Sequence, residues 1–392
     1  MNPVYLDYAA TTPMDARVRD AMTQAMAELY GNPSSLYAAG RAAKSTVEKA
    51  RRQVAALIGA KPEEIFFTSG GSESDNWALK GIAFARRASG KAFGVVTSAI
   101  EHPAILRTSE WLERQGVPVT RLPVDGEGVV APEALERTLS SLDGNVELSQ
   151  GVGIVSIMMA NNEVGTMEPV RELAEIAHNH GAIFHTDAVQ AAGHISIDVE
   201  AFGVDALSLT AHKFCGPKGI GALYIRRGVL IDSLIHGGEQ ERGLRAGTEN
   251  VPAIVGLGCA AEVAAAELEE EGKRLTELRD LLEARVRTIM GCVVHGSQNA
   301  ERRLPGTLNF SIAGIHHDAL LIRLDRAGFA VSAGSACSAG SLEPSHVLAA
   351  MGVPAEEAQS AVRVSLGRWT TEADVLAFAD ALEQAVSSMR AL

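Results

Sequence analysis

The chain has 392 residues, 46% of them hydrophobic and 21% charged, which is enough apolar material for about two or three cored domains and too much for a disordered polymer. Lys and Arg number 35 against 48 Asp and Glu, and a formal net charge of -13 argues against nucleic acid or an anionic membrane as partner. The four cysteines, Cys215, Cys259, Cys292 and Cys337, are dispersed without a C-x-x-C pair, which argues against a zinc ribbon or a disulfide framework and fits a reducing compartment.

In chain order, Met1 to Thr12 lacks the basic-then-apolar pattern of a leader. No apolar stretch is read as approaching the roughly 20 residues that span a bilayer, so the expected location is the cytosol. From Gln53 to about Gly228 short apolar runs alternate with helical segments, the pattern of a parallel sheet covered by helices and hence of an α/β large domain. Strands are predicted at Ile65 to Thr68, Gly94 to Ser98, Gly153 to Met159, Ile183 to Thr186 and Ala206 to Thr210. A charged helix between Ala261 and Met290, with Leu268, Leu275, Leu278, Leu282, Val286 and Ile289 at helical spacings, connects to a second region. There follow a strand near Leu308 to Ile312, a helix from Asp318 to Ala327 stopped by Gly328, a strand near Phe329 to Ser332 and a C-terminal helix from Glu372. These form a smaller α+β domain completed by the N-terminal residues. The expected division is 15–260 for the large domain, and 1–14 with 261–392 for the small one.

Loops leaving the carboxyl ends of parallel strands collect on one edge, where ligands bind. There the turn Ser69-Gly70-Gly71-Ser72-Glu73 offers backbone N–H groups for a phosphate, or is only a tight strand-to-helix turn. Lys213 directly follows an apolar strand, where a desolvated amine can join an aldehyde cofactor, although a lone lysine there is commonly solvated. Asp187 could face a cationic pyridinium or cap a helix, and Gln190 follows one short turn later. His102, before Pro103, could lie over a flat ring, transfer protons or be structural. His178, His180, His185 and His194 show no H-E-x-x-H or similar ligand spacing, so no catalytic metal is expected. Cys337 lies among small residues, Ala333 to Ser341, that cannot build a core; it is either an incidental thiol or a nucleophile on an exposed loop. Cys215, Cys259 and Cys292 read as small buried apolar residues. Arg363, in an alternating strand-like run, matches either a ligand carboxylate or a structural salt bridge.

Together these residues resemble the cysteine desulfurases of nitrogen fixation and iron-sulfur-cluster assembly, within the class V aminotransferases. The likeness runs nearly end to end, through Tyr5 to Pro13, Gly31-Asn32-Pro33-Ser34-Ser35, Glu101-His102-Pro103, His185 to Gln190 and Gly237 to Gly243. Its most specific part is Ser335-Ala336-Cys337 followed by Ser341-Leu342-Glu343-Pro344-Ser345-His346. The resemblance implies the α/β pyridoxal-phosphate transferase fold of type I, with a mostly parallel seven-stranded sheet. It implies that Lys213 links covalently to pyridoxal 5'-phosphate, Asp187 pairs with its ring nitrogen, Gln190 bonds its phenolate oxygen, His102 stacks on its ring, and Asn162 lies beside it. Gly71, Ser72, Thr210 and His212 would hold the phosphate, with Thr248 from the neighbouring subunit of a homodimer. Arg363, helped by Asn32, would take the substrate carboxylate.

By those roles the amine of Lys213 removes the α-proton of L-cysteine, and the Cys337 thiolate takes the sulfur as a persulfide while alanine leaves. An iron-sulfur scaffold or sulfur-carrier protein is the implied partner, and a loop thiolate such as Cys337 could itself ligate a cluster. Two other readings stay open: another enzyme on the same fold, such as an aminotransferase or selenocysteine-specific lyase, and a non-catalytic scaffold.

Overall fold

The computed structural model describes residues 3–143, 151–333 and 345–391. Twelve strands are present among them: β1 (Val4–Tyr5), β2 (Ile65–Thr68), β3 (Gly94–Ser98), β4 (Val119–Leu122), β5 (Val152–Ser156), β6 (Ile183–Asp187), β7 (Ala206–Thr210), β8 (Gly221–Ile225), β9 (Cys292–His295), β10 (Thr307–Ile312), β11 (Phe329–Ala330) and β12 (Ala361–Ser365). Seven of them form one sheet in the order β2-β8-β7-β6-β5-β3-β4. Strand β8 runs antiparallel to both its neighbours, and the remaining pairings are parallel. Strands β2, β3, β5, β7 and β8 are buried at every residue, because helices cover both faces and the sheet has no wet side.

The predicted strands fall on β2, β3, β5, β6 and β7, with small differences at their ends. The run expected to reach Met159 ends as a strand at Ser156, yet Ile157 and Met159 still donate to the carbonyls of His185 and Asp187 at 3.1 and 2.9 Å. Strands β4, β8 and β9 were not anticipated. Strand β8 follows Lys213 closely, and its apolar run Gly221–Ile225 returns the chain antiparallel between β7 and β2.

The long helix spans Val251–Val286, ten residues earlier at its start than the sequence pattern suggests. The stretch 251–261 is apolar with no exposed residue and so carries no clear amphipathic period, being packed against the core between sheet and helices. This helix is long and apolar enough by length and composition to cross a membrane, which corrects the expectation that no stretch approaches that size. It is a core helix: Ile254, Leu257 and Ala261 sit in the cluster formed with the seven-stranded sheet, and Leu275, Leu278 and Leu282 in a second cluster.

That second cluster draws on Leu6, on β10 and β12 of a three-stranded antiparallel sheet β12-β10-β9, and on the helix Glu372–Arg390. Strand β1 pairs with β11 in parallel, Asp7 then bridges Ser365, and the chain runs from there to the carboxyl edge of the large sheet. The N-terminal segment thus reaches from the second cluster to the site described next.

Candidate cofactor and substrate site

A cavity of about 240 Å³ opens at the carboxyl edge of the large sheet. Gly71, Ser72, Thr210 and His212 line one end of it; Asn162, Asp187, Gln190 and His102 line the other, with Lys213 and Arg363 at its sides.

The first end is made largely of backbone. Strand β2 ends at Thr68, and the helix Gly71–Ala88 starts three residues later, its unpaired N–H groups facing the cavity end where an anion would sit. Gly70 has φ +154°, a conformation closed to residues with a side chain. A Cβ on Gly71 would stand 2.7 Å from Cγ2 of Val189, so glycine is what lets the helix start approach the 187–190 turn. Glu73, in the first helical turn, is held by Arg245 at 2.8 Å. Thr210 donates its hydroxyl to the carbonyl of Ile220 at 3.0 Å, and Nδ1 of His212 meets Oγ1 of Thr11 at 3.1 Å. Burial, with the charges of Lys213 and Lys218, pushes the His212 imidazole down to about 4, so it is neutral at physiological pH.

Lys213 sits in the single helical turn Ala211–Lys213 that ends β7. Its Nζ donates to the carbonyls of Ala9 and Ala10 at 2.6 and 2.8 Å. Gln190 donates to the same Ala9 carbonyl at 3.0 Å. Thr12 ties the segment down further, its N–H and hydroxyl bonding the His212 carbonyl at 2.9 and 3.0 Å. Residues 9–12 therefore form a strap over the lysine, a feature the sequence placed only within a family likeness.

The second end is made of buried side chains. Asp187 is 5% exposed and its Oδ1 accepts from Val189 N at 2.9 Å, so it caps its own turn as well as facing the cavity. Burial raises its carboxyl, opposed by nearby His102 and Lys213. His102 accepts from Ala104 N through Nδ1 at 3.1 Å, capping the helix Pro103–Arg114, which leaves the ring's proton on Nε2. Burial also pushes this imidazole below its ordinary value, so the neutral ring is the form that lines the cavity. Two further carboxyls have no role in the sequence reading: Asp75, on the helix that begins at Gly71, lines the cavity, and Glu101, beside His102, is fully buried. Asp75 is a polar residue on an otherwise apolar, buried helix face, among Ser74, Trp77 and Ala78.

Arg363, on β12, is 1% exposed. It donates to the Asn162 carbonyl at 2.8 Å and to Oδ1 of Asp7 at 2.7 Å, while its Nε has no partner among the described residues. Both readings of this residue are thus present in one place, a structural ion pair and a guanidinium at the cavity wall. Asn32 is exposed and does not line the cavity; its Oδ1 accepts from Ser34 N at 2.9 Å and holds a turn. Thr248 is exposed and likewise outside the lining. Cys337 lies outside the described residues, and the segment after it resumes at Ser345, whose hydroxyl donates to Oε2 of Glu163 at 2.5 Å. Cys215 is buried as anticipated, whereas Cys259 and Cys292 are half-buried against the two apolar clusters.

Residues 4–378 match the class V aminotransferase family. The chain is 48% identical over 390 residues to a protein of Dictyoglomus turgidum named cysteine desulfurase IscS, covering 99% of this chain and 96% of that one. It is 49% identical over 387 residues to a protein of the same name from Methanosarcina thermophila, covering 99% and 93%. A solved structure titled NifS-like protein superposes with a TM-score of 0.89 at 41% identity, covering 98% of this chain and all of that one. With a class V match along nearly its whole length and a lysine, a carboxylate and a glycine turn meeting at one sheet edge, the chain belongs to the cysteine desulfurase family of class V aminotransferases.

Proposed function

We propose that the protein is a pyridoxal-phosphate-dependent cysteine desulfurase that converts L-cysteine to L-alanine and leaves the sulfur as a persulfide on Cys337. The observation that carries this reading is the meeting of Lys213, Asp187 and the Gly71 turn around one cavity. The residues present fit the cofactor. Gly71 leaves a cradle that a Cβ would fill, the first turn of its helix offers N–H groups to a phosphate, and Asp187 offers a buried carboxylate to a ring nitrogen. Gly71, Ser72, Thr210 and His212 would hold the phosphate, Gln190 the phenolate oxygen, and His102 and Asn162 the ring. When bound, pyridoxal phosphate supplies an aldehyde for the lysine amine and a ring that accepts the electron pair freed at the substrate α-carbon.

The protein's own groups do the rest. Arg363 holds the substrate carboxylate with two-point geometry, its position fixed by Asp7. Lys213 Nζ takes the α-proton. The Cys337 thiolate attacks the substrate sulfur, the carbon–sulfur bond breaks with its electron pair left on carbon, and that carbon is reprotonated to give alanine. The balance is one L-cysteine and one thiol to one L-alanine and one persulfide, which then passes to an iron-sulfur scaffold or sulfur-carrier protein. A homodimer in the cytoplasm is part of this reading, because Thr248 is exposed in one subunit and would reach a phosphate only in another. So is the division into a cofactor-binding domain, 15–260, and a smaller one, 1–14 with 261–392, supported by an apolar cluster drawn wholly from the latter residues.

The test is the yield of sulfide and alanine from L-cysteine and a reductant, using cofactor-loaded protein. Equal yields over many turnovers are expected, and Cys337→Ser should abolish sulfide release with the cofactor still bound. Neither product from cofactor-loaded wild type would point to another amino-acid substrate.

A further inference from the structure

Behind Asp187 lies a polar chain that the reaction as described does not use. Asp75 is 1% exposed, and its Oδ1 has no hydrogen-bond partner among the described residues, with Nε2 of His185 3.9 Å away. One oxygen each of Asp75 and Asp187 and one ring nitrogen of His102 lie within 4.8 Å of one another. On its far side Asp75 faces the Ser208 hydroxyl, and Oγ of Ser208 is 3.1 Å from Nε2 of His185. Nδ1 of His185 in turn meets Oγ of Ser156 at 2.9 Å. Ser156, His185 and Ser208 come from the adjacent strands β5, β6 and β7, and all three are wholly buried. His185 and Asp187, two residues apart on β6, share a face of the sheet, and it is the face on which the helix carrying Asp75 packs.

Two carboxyls within 4.8 Å in a dry site oppose each other's ionisation, so one proton shared by the pair is favoured. The surroundings decide which keeps the charge. Asp187 has Val189 N bonded to it, with His102 and Lys213 near. Asp75 shares His102 with Asp187 and otherwise faces the Ser208 hydroxyl, His185, which burial pushes down to about 3, and Glu101, which burial pushes up to about 8. Its own carboxyl is pushed well above the ordinary range, first by burial and then by Asp187. With His102, His185 and Glu101 held in their neutral forms, the two carboxyls share one negative charge, which the surroundings place on Asp187.

We propose that Asp75 is a positioning residue for the ring-binding site: a neutral acid backed by Ser208 and His185, whose proton is directed at Asp187 and holds that carboxylate, alone ionised, for the cofactor's ring nitrogen. The proposal rests on the pyridoxal-phosphate reading above. Asp75 sits one helical turn beyond Gly71, so one helix fixes the phosphate end and, through Asp75, the ring end.

The test uses Asp75→Asn, which keeps the shape and a donor but has no charge to lose, and Asp75→Ala, which keeps neither. The readouts are pyridoxal phosphate affinity and the pH midpoint at which the bound cofactor's visible absorbance changes. The expected result is a midpoint for Asp75→Asn within about 0.3 pH units of wild type, and binding about tenfold weaker for Asp75→Ala, the scale of one lost hydrogen bond to a charged group. An Asp75→Asn midpoint lowered by about one unit or more would show that Asp75 carries a charge, and would overturn the proposal. Wild-type binding in both variants would overturn it as well. Should Asp75→Ala not fold, the Asp75→Asn midpoint decides alone. Failure of wild-type protein to take up the cofactor overturns the underlying reading and this proposal together, whereas a coloured wild type with a shifted Asp75→Asn overturns only the proposal.

Discussion

The two ends of the cavity are built from different materials. The Gly71 end is backbone: a glycine with φ +154°, a second glycine with no room for a Cβ, and the free N–H groups of a helix start. The Asp187 end is side chain: three buried carboxyls, the buried imidazole of His185 and the half-buried one of His102, contributed by β6, by the Gly71–Ala88 helix and by the connection after β3. Backbone donors are fixed by the fold and do not titrate, so the first end should be insensitive to pH and sensitive to shape. Buried acids answer to each other's charge, so the second should be tolerant of small shape changes and sensitive to charge.

Asp187→Asn should have the largest effect and sharpens this contrast most. The amide oxygen can still accept from Val189 N, so the turn is kept while the charge is lost. Sulfide formation should fall on the order of 100-fold, the scale of losing one preorganised electrostatic partner, with thermal stability retained. Unchanged turnover would mean that the ring end does not work through charge.

Gly71→Ala should act by shape alone. The new Cβ meets Val189 Cγ2 at 2.7 Å, and the strain of such overpacking is about 1–3 kcal/mol. Pyridoxal phosphate affinity should drop about tenfold or more, at every pH alike, when followed by equilibrium titration. Adding Val189→Ala should recover most of it. A loss that persists in the double variant would show that the helix start is intolerant for some reason other than that contact.

The same difference in material explains what the sequence disclosed. A glycine pair between an apolar strand and a helical segment is local, so the first end could be read directly from Ser69 to Glu73. Lys213 and Asp187 were readable because each directly follows an apolar run. The second end depends on which strands are neighbours: Ser156, His185 and Ser208 are far apart in the chain and meet only because β5, β6 and β7 are adjacent. Asp75 follows no apolar strand and belongs to no motif, so nothing local ties it to the site. Asp7, which fixes Arg363, and the carbonyls of Ala9 and Ala10, which hold Lys213, lie some 200 residues or more from their partners. The extent of the helix Val251–Val286 was misjudged for a related reason, since the uniformly apolar stretch 251–261 lacks the periodicity that marks a helix.

The smallest effect on the site itself, and the cleanest on pH, should come from Glu101→Gln. Glu101 is fully buried; its Oε1 accepts from the Ser98 hydroxyl at 2.7 Å and from Met158 N at 2.9 Å, and Oε2 has no partner. Burial moves its carboxyl from the ordinary 4.5 to about 8. Folding therefore favours the protonated form, and the stability this contributes is whole below about 4.5 and is lost as pH rises through about 8. Glutamine keeps the accepting oxygen and places an uncharged NH2 where the acid carries its proton, so the variant should lose less stability than wild type between about pH 5 and 8. The gain at the upper end should be on the order of a few kcal/mol, read from denaturant midpoints at each pH. Glu168, also pushed up to about 8 by burial but bonded to Val130 N, keeps its own slope in both proteins, so the comparison isolates Glu101. Equal slopes in the two proteins would mean that Glu101 is ionised in the folded state, and the charge count at the ring end would then have to include it.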